Sequence, residues 1–357
     1  MTRLAYLAGA AALAAAFGFA GSALANTIVV AGDNVDCGAG AVDQTTIQGG
    51  IDAASAGDTV AVCPGTYSED LDIFDRDGLT LIATDRASNA TTVIQGVLDS
   101  AGAIFPTAIP NIDLQSHGVT ITGFTIKSPA AVVGEYASGL IIDGTDNKIY
   151  KNAFQVSCGT PGSVAIQTWV NGSELLKNIS GLTIVENSFT SLAPVAAGCL
   201  GYEAIFINNQ LSADEADPVV IAGNTFAGRL YRGVGVLRSF TDVKFNSFST
   251  TLFPQATVDF GNVPIGIKVF DFVGAVSNAV IASNSIVGGF IFFLPRFHYG
   301  IWLTAGTSDN IMRNNFVLFS ATRDCLDDSV NGGTDGTANT WENNNTGPND
   351  FPDGICG

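Results

Sequence analysis

The sequence predicts an all-β solenoid, a coil of short parallel strands stacked rung on rung around one apolar column. Three observations predict it. A motif, I-x-x-N-x-F or a close variant, recurs at Ile149-Asn152-Phe154, Ile184-Asn187-Phe189, Ile221-Asn224-Phe226, Val243-Asn246-Phe248, Ile281-Asn284-Ile286 and Ile311-Asn314-Phe316. Strands led by glycine precede several copies: Gly139-Leu140-Ile141-Ile142, Gly233-Val234-Gly235-Val236, Gly266-Ile267-Lys268-Val269 and Gly300-Ile301-Trp302-Leu303. Charged residues are sparse at 13%, and 41 of the 357 residues are glycine, which suits tightly turned rungs better than a helical bundle.

The motif carries its own geometry. Its two outer apolar positions are five apart, so on one flat strand they would face opposite sides. A bend between them returns both to the interior. Asparagine tolerates the left-handed backbone such a bend needs, and its amide can bond up and down a stack, so the asparagines are expected to take the bend and form a ladder. Ile121-Phe124-Ile126 reads as an earlier copy without its asparagine. The asparagines recur at intervals of 22 (Asn224 to Asn246) to 38 (Asn246 to Asn284), which fits rungs of about 22 residues with loops inserted on one or two sides. In this register Lys151 and Glu186 should meet on neighbouring rungs, and phenylalanines should stack inside the column. In the glycine-led strands, the residues one and three after the glycine should face in. The residue two after it faces out, which lines up Gly235, Lys268 and Trp302.

The start of the coil has a different pattern. Ile47, Ile51 and Ala54 fall at helical spacing behind Thr45 or Thr46, either a fit N-cap, so a helix is expected over 45–56, broken by Ser55-Ala56-Gly57-Asp58. Thr59–Val62 alternates as a strand, Pro64-Gly65 turns, and Leu71-Ile73 forms an outer strand. This helix, strand and Pro64-Gly65-Thr66-Tyr67-Ser68-Glu69 motif resembles the N-terminal cap and first rung of the pectate-lyase-like superfamily. The resemblance implies a right-handed parallel β-helix with three sheets, here over 26–320, and a C-terminal cap over 321–357. It leaves function open, since lyases, esterases, epimerases and inert surface proteins share that fold.

Residues 1–25 have one arginine, an apolar run from Leu4 to Ala20, and Ala23-Leu24-Ala25, the pattern of a cleaved secretory signal peptide. The run is shorter than the roughly 20 residues a membrane span needs. The mature protein is expected to be secreted, extracellular or periplasmic, with no membrane span. A net charge of −18 argues against nucleic acid as a partner. Six cysteines behind a signal sequence read as disulfides: by proximity Cys37–Cys63, Cys158–Cys199 and Cys325–Cys356. Zinc is the alternative, but there is no C-x-x-C pair, and His117 and His298 are the only histidines. The polar tail, Asp324-Cys325-Leu326-Asp327-Asp328 through Asn339-Thr340-Trp341, resembles the G-T-x-N-x-W-x-x-N ending of secreted β-helix proteins. It would cover the last rung, with Trp341 as a plug and Asp324, Asp327 and Asp328 as the residues a Ca²⁺ ion would use.

Motifs of the hydrolytic subfamilies are missing. No Q-D-T or D-F-I-F-G appears, as a pectin methylesterase would need; Asp271-Phe272-Val273-Gly274 is one residue short. Polygalacturonase G-H-G and epimerase D-P-H-D are absent. β-Elimination from a uronide needs less: a group to neutralise the carboxylate and a base for the C5 proton. Lys268 and His298 are the candidate bases. Trp302, Tyr299, Arg296, Arg232 and Arg238 are the candidate binding residues, because aromatic planes stack on sugar rings and cations pair with carboxylates. The partner so implied is an extracellular polysaccharide. The alternative is a non-catalytic surface or adhesive β-helix protein, in which these are ordinary surface charges.

Overall fold

A computed structural model describes residues 25–32, 41–84, 92–96, 108–128, 136–156, 163–168, 178–191, 202–208, 215–250, 264–271, 274–288, 297–318, 320–347, 350–352 and 354–356. Among them, three long sheets run the length of the chain, and their strand pairs are all parallel. The first has eleven strands, from Thr27–Val30 to Thr340–Glu342; the second ten, from Gly65–Ser68 to Asn345–Thr346; the third ten, from Leu71–Phe74 to Asp350–Phe351. One rung is Thr241–Lys244 in the first sheet, Ser247–Thr250 in the second and Ile265–Val269 in the third. The fold is a right-handed parallel β-helix. No described helix is long and apolar enough to cross a membrane.

The helix at the start is shorter than expected, Ile47–Ala53, with Thr46 as N-cap accepting the Gly49 N–H at 3.1 Å. The Glu69 carboxylate reaches back to accept the N–H groups of Ile47 (2.8 Å) and Gln48 (3.0 Å). Glu69, the acid of the turn motif, therefore ties the cap to the first rung by satisfying donors that a helix start leaves open. Buried Tyr67 donates its hydroxyl to the Cys63 carbonyl at 3.0 Å and holds the turn closed.

The corner between the first and second sheets differs from expectation in one respect. The left-handed residue is the one before each ladder asparagine: Lys151 (φ 54°), Glu186 (φ 54°), Gly223 (φ 65°), Phe245 (φ 57°), Ser283 (φ 55°), Asn314 (φ 55°) and Asn343 (φ 50°), with Gly123 at the corner before Phe124. Each such non-glycine residue costs about 1–2 kcal/mol. That backbone frees the following asparagine to lie inward. Asn152, Asn187, Asn224, Asn246, Asn284, Asn315 and Asn344 are buried, and each of the first six donates its N–H to Oδ1 of the next, at 2.9–3.0 Å. Each Nδ2 also donates to the carbonyl of the motif's leading residue one rung back, as Asn224 does to Ile184 at 2.9 Å. In the last repeat the ladder residue is Asn315, not Asn314, because Ile281 pairs with Met312 and Ile286 with Val317. Phe124 heads the ladder, its N–H bonded to Asn152 Oδ1 at 3.0 Å.

Lys151 and Glu186 meet at 3.4 Å, as the register requires. Inside, Phe154, Phe189, Phe226 and Phe248 stack with centroids 5.0, 4.9 and 4.3 Å apart and nearly parallel planes. The leading glycines of the third sheet make room for this column. A Cβ on Gly233 would lie 2.5 Å from Phe248 and 2.5 Å from the Gly266 carbonyl, and one on Gly300 would lie 2.1 Å from Val317.

The described residues after 320 extend the coil, adding one strand to each of the first two sheets and two to the third, and the Cys325–Cys356 disulfide closes the end. Trp341 is buried and donates its indole N–H to the inward-facing Asp327 at 2.9 Å. Cys63 is also disulfide-bonded; Cys37, Cys158 and Cys199 lie outside the described residues, as do residues 1–24. A terminal rung has one neighbour where an interior rung has two. Replacing Cys325 and Cys356 with serine is therefore expected to expose 321–357 to proteolysis, while the far-ultraviolet spectrum stays that of a β protein; collapse of that spectrum would contradict it.

Candidate functional site

Strand parity in the third sheet decides what faces out. In Ile265–Val269 and Tyr299–Leu303 the residues on either side of Lys268 and Trp302 are buried (Ile267 and Val269, then Ile301 and Leu303), so Lys268 and Trp302 project outward. The ladder pairs Phe206 with Gly235, Gly235 with Lys268, and Lys268 with Trp302, so these four line up along the coil axis on consecutive rungs, ~4.8 Å apart. A second row, in which Glu203 and Ile265 are buried, pairs Glu203 with Arg232, Arg232 with Ile265, and Ile265 with Tyr299.

The two rows interlock as rings and cations. The Arg232 guanidinium lies 4.8 Å from the Phe270 ring centre, 5.3 Å from Tyr231 and 5.5 Å from Phe206. The Lys268 ammonium sits 5.0 Å from Phe270 and 3.8 Å from Trp302. Tyr299 tilts against Trp302 with centroids 4.9 Å apart. Each desolvated cation over a ring is stabilised by up to about 2 kcal/mol. The outcome is a half-buried ridge running from Phe206 to Tyr299.

Sequence reasoning missed the acid beneath the ridge. Glu203 Oε1 is 3.1 Å from Arg232 Nε, with both side chains 11% exposed. Neither atom makes an aligned hydrogen bond, so the contact is an ion pair only. Burial pushes the Glu203 carboxyl up to about 7, against the opposing pull of Arg232 and Lys268. Lys268 is drawn down to about 8, first by burial and then by Arg232, while Glu203, Asp328 and Asp271 pull it the other way. The space for the pair is the absent side chain of Gly235. A Cβ there would lie 2.8 Å from Glu203 Oε1 and 3.1 Å from Arg232 Nη1. A lone acid in the apolar run Tyr202-Glu203-Ala204-Ile205-Phe206-Ile207 was the available signal, but Ala204 stands where the other strands carry their leading glycine.

The remaining expected residues divide. Arg232, Lys268, Tyr299 and Trp302 come together. One indole face of Trp302, expected to lie open to a sugar, is covered by Lys268, and its Nε1–H donates to Asp328 Oδ2 at 2.8 Å. Arg238 is not on this face: it is fully buried at the turn after Val236, donating to the carbonyls of Ser239 (3.2 Å) and Phe240 (3.1 Å) and to the Ser180 hydroxyl (3.4 Å). A guanidinium committed to the backbone in this way is structural. His298 lies just before the Tyr299–Leu303 strand, its Nδ1 3.1 Å from the Thr322 hydroxyl and its proton affinity lowered by burial. Arg296 lies outside the described residues.

The three aspartates that a Ca²⁺ ion would use point apart. Asp324 accepts the Ser320 N–H, Asp327 faces the core toward Asn339 and Trp341, and Asp328 takes the Trp302 indole. Among the described residues, no group of three His, Cys, Asp or Glu side chains is arranged to hold a metal ion.

No protein-family model matches the chain, and no curated protein matches it in sequence. Among solved structures it is similar to an alginate lyase from Paenibacillus sp., at 12% identity and TM-score 0.47, covering 92% of this chain and 96% of that one. It is also similar to the pectin methylesterase from carrot, at 13% identity and TM-score 0.46, covering 82% and 83%. A third is the A-module of the Azotobacter vinelandii mannuronan C-5 epimerase AlgE4, at 14% identity and TM-score 0.35, covering 86% and 95%. What those enzymes act on is a property of theirs; the fold assigned to this chain rests on its own strand ladders.

Proposed function

We propose that this is a secreted protein that binds an acidic extracellular polysaccharide along the outer face of its third sheet, with Lys268 as the anchoring cation and, in its neutral form, the base of a β-elimination. The carrying observation is the Lys268 amine, set among rings with its proton affinity lowered to about 8. Near neutral pH such a group is mostly charged, able to pair with a carboxylate, yet it has a neutral fraction able to accept a proton. In the elimination, the C5–H proton passes to the Lys268 amine, its electron pair forms the C4–C5 double bond, and the C4–O bond breaks with the leaving oxygen taking a proton. The rims of Phe270, Tyr299 and Trp302 supply the apolar contact to sugar C–H groups.

In this reading residues 1–25 are removed on export, 26–320 form the binding coil, and 321–357 close it. The disulfides at Cys63 and at Cys325–Cys356 suit an oxidising compartment. One observation favours the non-catalytic alternative, a surface or adhesive protein: Arg232 is spent on Glu203 and three rings, and so is not available to neutralise a substrate carboxylate.

The test is retention on immobilised polygalacturonate, alginate and a neutral glucan, beside ultraviolet detection of unsaturated products. Lys268→Ala is expected to lose retention on the acidic polymers at least roughly tenfold, the scale of one charge-assisted contact, and to abolish any product. Trp302→Phe should lose less. Retention equal to wild type in a folded Lys268→Ala variant would refute the binding reading; retention without product would leave the surface protein.

A further inference from the structure

We infer that Glu203 is a positioning residue of this face: across the gap left by Gly235 it holds Arg232 in place beside Lys268 and so sets the charge state of the lysine amine. The inference rests on the ridge described above as the site, but its geometry is independent of what the ridge binds. Glu203 itself reaches no ligand, because its Oε1 is sealed from solvent beneath Gly235. Its influence must pass through neighbours. Arg232 is the direct one, 3.1 Å away, and Lys268 is the residue next along the axis from Gly235.

The charged groups around this pair are few. Arg232 and Lys268 face Glu203; Arg232, Glu203, Asp328 and Asp271 act on Lys268. On the rung before, Val164 pairs with Glu203 and Gln167 with Phe206, so among the described residues the ladder partners on that side are uncharged. Asp328 and Asp271 each have a hydrogen-bond partner, the Trp302 indole and the Thr304 hydroxyl. Glu203, the acid beside Arg232, is therefore the variable element of the set, and Lys268 reports its state. Two groups coupled in this way lose protons in steps that belong to the pair. When Glu203 ionises, Lys268 holds its proton more tightly; when Glu203 is neutral, only Asp328 and Asp271 oppose Arg232 and the amine gives up its proton more readily. Gly235 matters because any side chain there would displace the carboxylate from the gap.

The experiment follows Lys268 in the protein without ligand. Trace acetylation with acetic anhydride from pH 6 to 10, read by peptide mass spectrometry, gives its reactivity relative to exposed Lys151. Wild type is expected to give a curve with two inflections, one from each group. Glu203→Gln keeps the shape of the side chain and removes its charge, so the curve should become single-stepped and move to lower pH, with reactivity at pH 7.5 rising roughly twofold or more. Superimposed curves would overturn the inference, and so would a single-step curve in wild type, a result that needs no variant to fold. A merely structural Glu203 would alter thermal stability without moving the lysine curve. Because no saccharide is present, failure here is separable from failure of the binding reading, which the retention assay decides.

Discussion

Replacing the buried Asn224 with alanine is expected to destabilise the coil by about 2–6 kcal/mol. Asn224 Oδ1 accepts both the Asn187 N–H (2.9 Å) and the Asn187 Nδ2–H (3.1 Å), while its own Nδ2 donates to the Ile184 carbonyl (2.9 Å). All three sites are buried. Alanine would leave the Asn187 N–H and the Ile184 carbonyl without partners, and each buried orphan costs about 1–3 kcal/mol. The defect should stay local at first, because rungs contact only their neighbours. Hydrogen exchange at the Asn187 amide is the sharp measurement: its protection should fall by orders of magnitude, while amides near Thr59–Val62 keep theirs. A urea midpoint within error of wild type would show that the ladder merely accompanies the stack. Glu186→Ala, which removes an exposed pair at the same corner, should leave the midpoint almost unmoved.

The same ladder shows how much the sequence could tell. The I-x-x-N-x-F repeat encodes two strands and a corner, and its period-2 logic located the core residues in the first five copies, while in the last Met312 and Val317 face in where Ile311 and Phe316 were expected. It could not say which residue takes the left-handed backbone, because that residue points outward and is Lys151, Glu186 or Phe245 at some corners and glycine at others. The doublet Asn314-Asn315 offered two registers, and only the pairing of Ile281 with Met312 chooses between them.

The candidate site was half legible for a related reason. Parity within a strand placed Lys268 and Trp302 outward, since each sits between two apolar residues. Parity ends where the chain turns, so Arg238, two residues beyond Val236, went unrecognised as buried. Neighbour relations across rungs depend on loop lengths that no motif fixes. Hence Glu203 and Arg232, 29 residues apart in the chain, could not be paired from the sequence. The covering of the Trp302 indole by Lys268 is likewise a property of side-chain packing, not of pattern.

A Glu203→Gln variant should gain stability relative to wild type as pH rises, by about 3 kcal/mol between pH 4.5 and pH 8. The folded chain raises the Glu203 carboxyl from 4.5 to about 7, so between those values the folded protein binds more protons than the unfolded one. Stability from this group is therefore complete below pH 4.5 and is lost as pH climbs through about 7, and a shift of that size corresponds to about 3 kcal/mol. Lys268 acts in the opposite window: its proton is held less tightly in the folded chain, so its contribution grows above about 8 and is complete above 10.5. Together they place a minimum of stability between pH 7 and 8, where both are charged in a poorly solvated spot. Below pH 4.5 the protonated acid and the amide are near-equivalent neutral groups, so the two proteins should there differ little. Above pH 7 the wild type carries a buried carboxylate whose attraction to Arg232 does not repay its desolvation. The other carboxylates titrate in both proteins and cancel in the difference between their unfolding curves. If those curves run parallel from pH 4.5 to 8, Glu203 ionises in the ordinary carboxylate range, and the charge it lends the ridge is fixed, not switched.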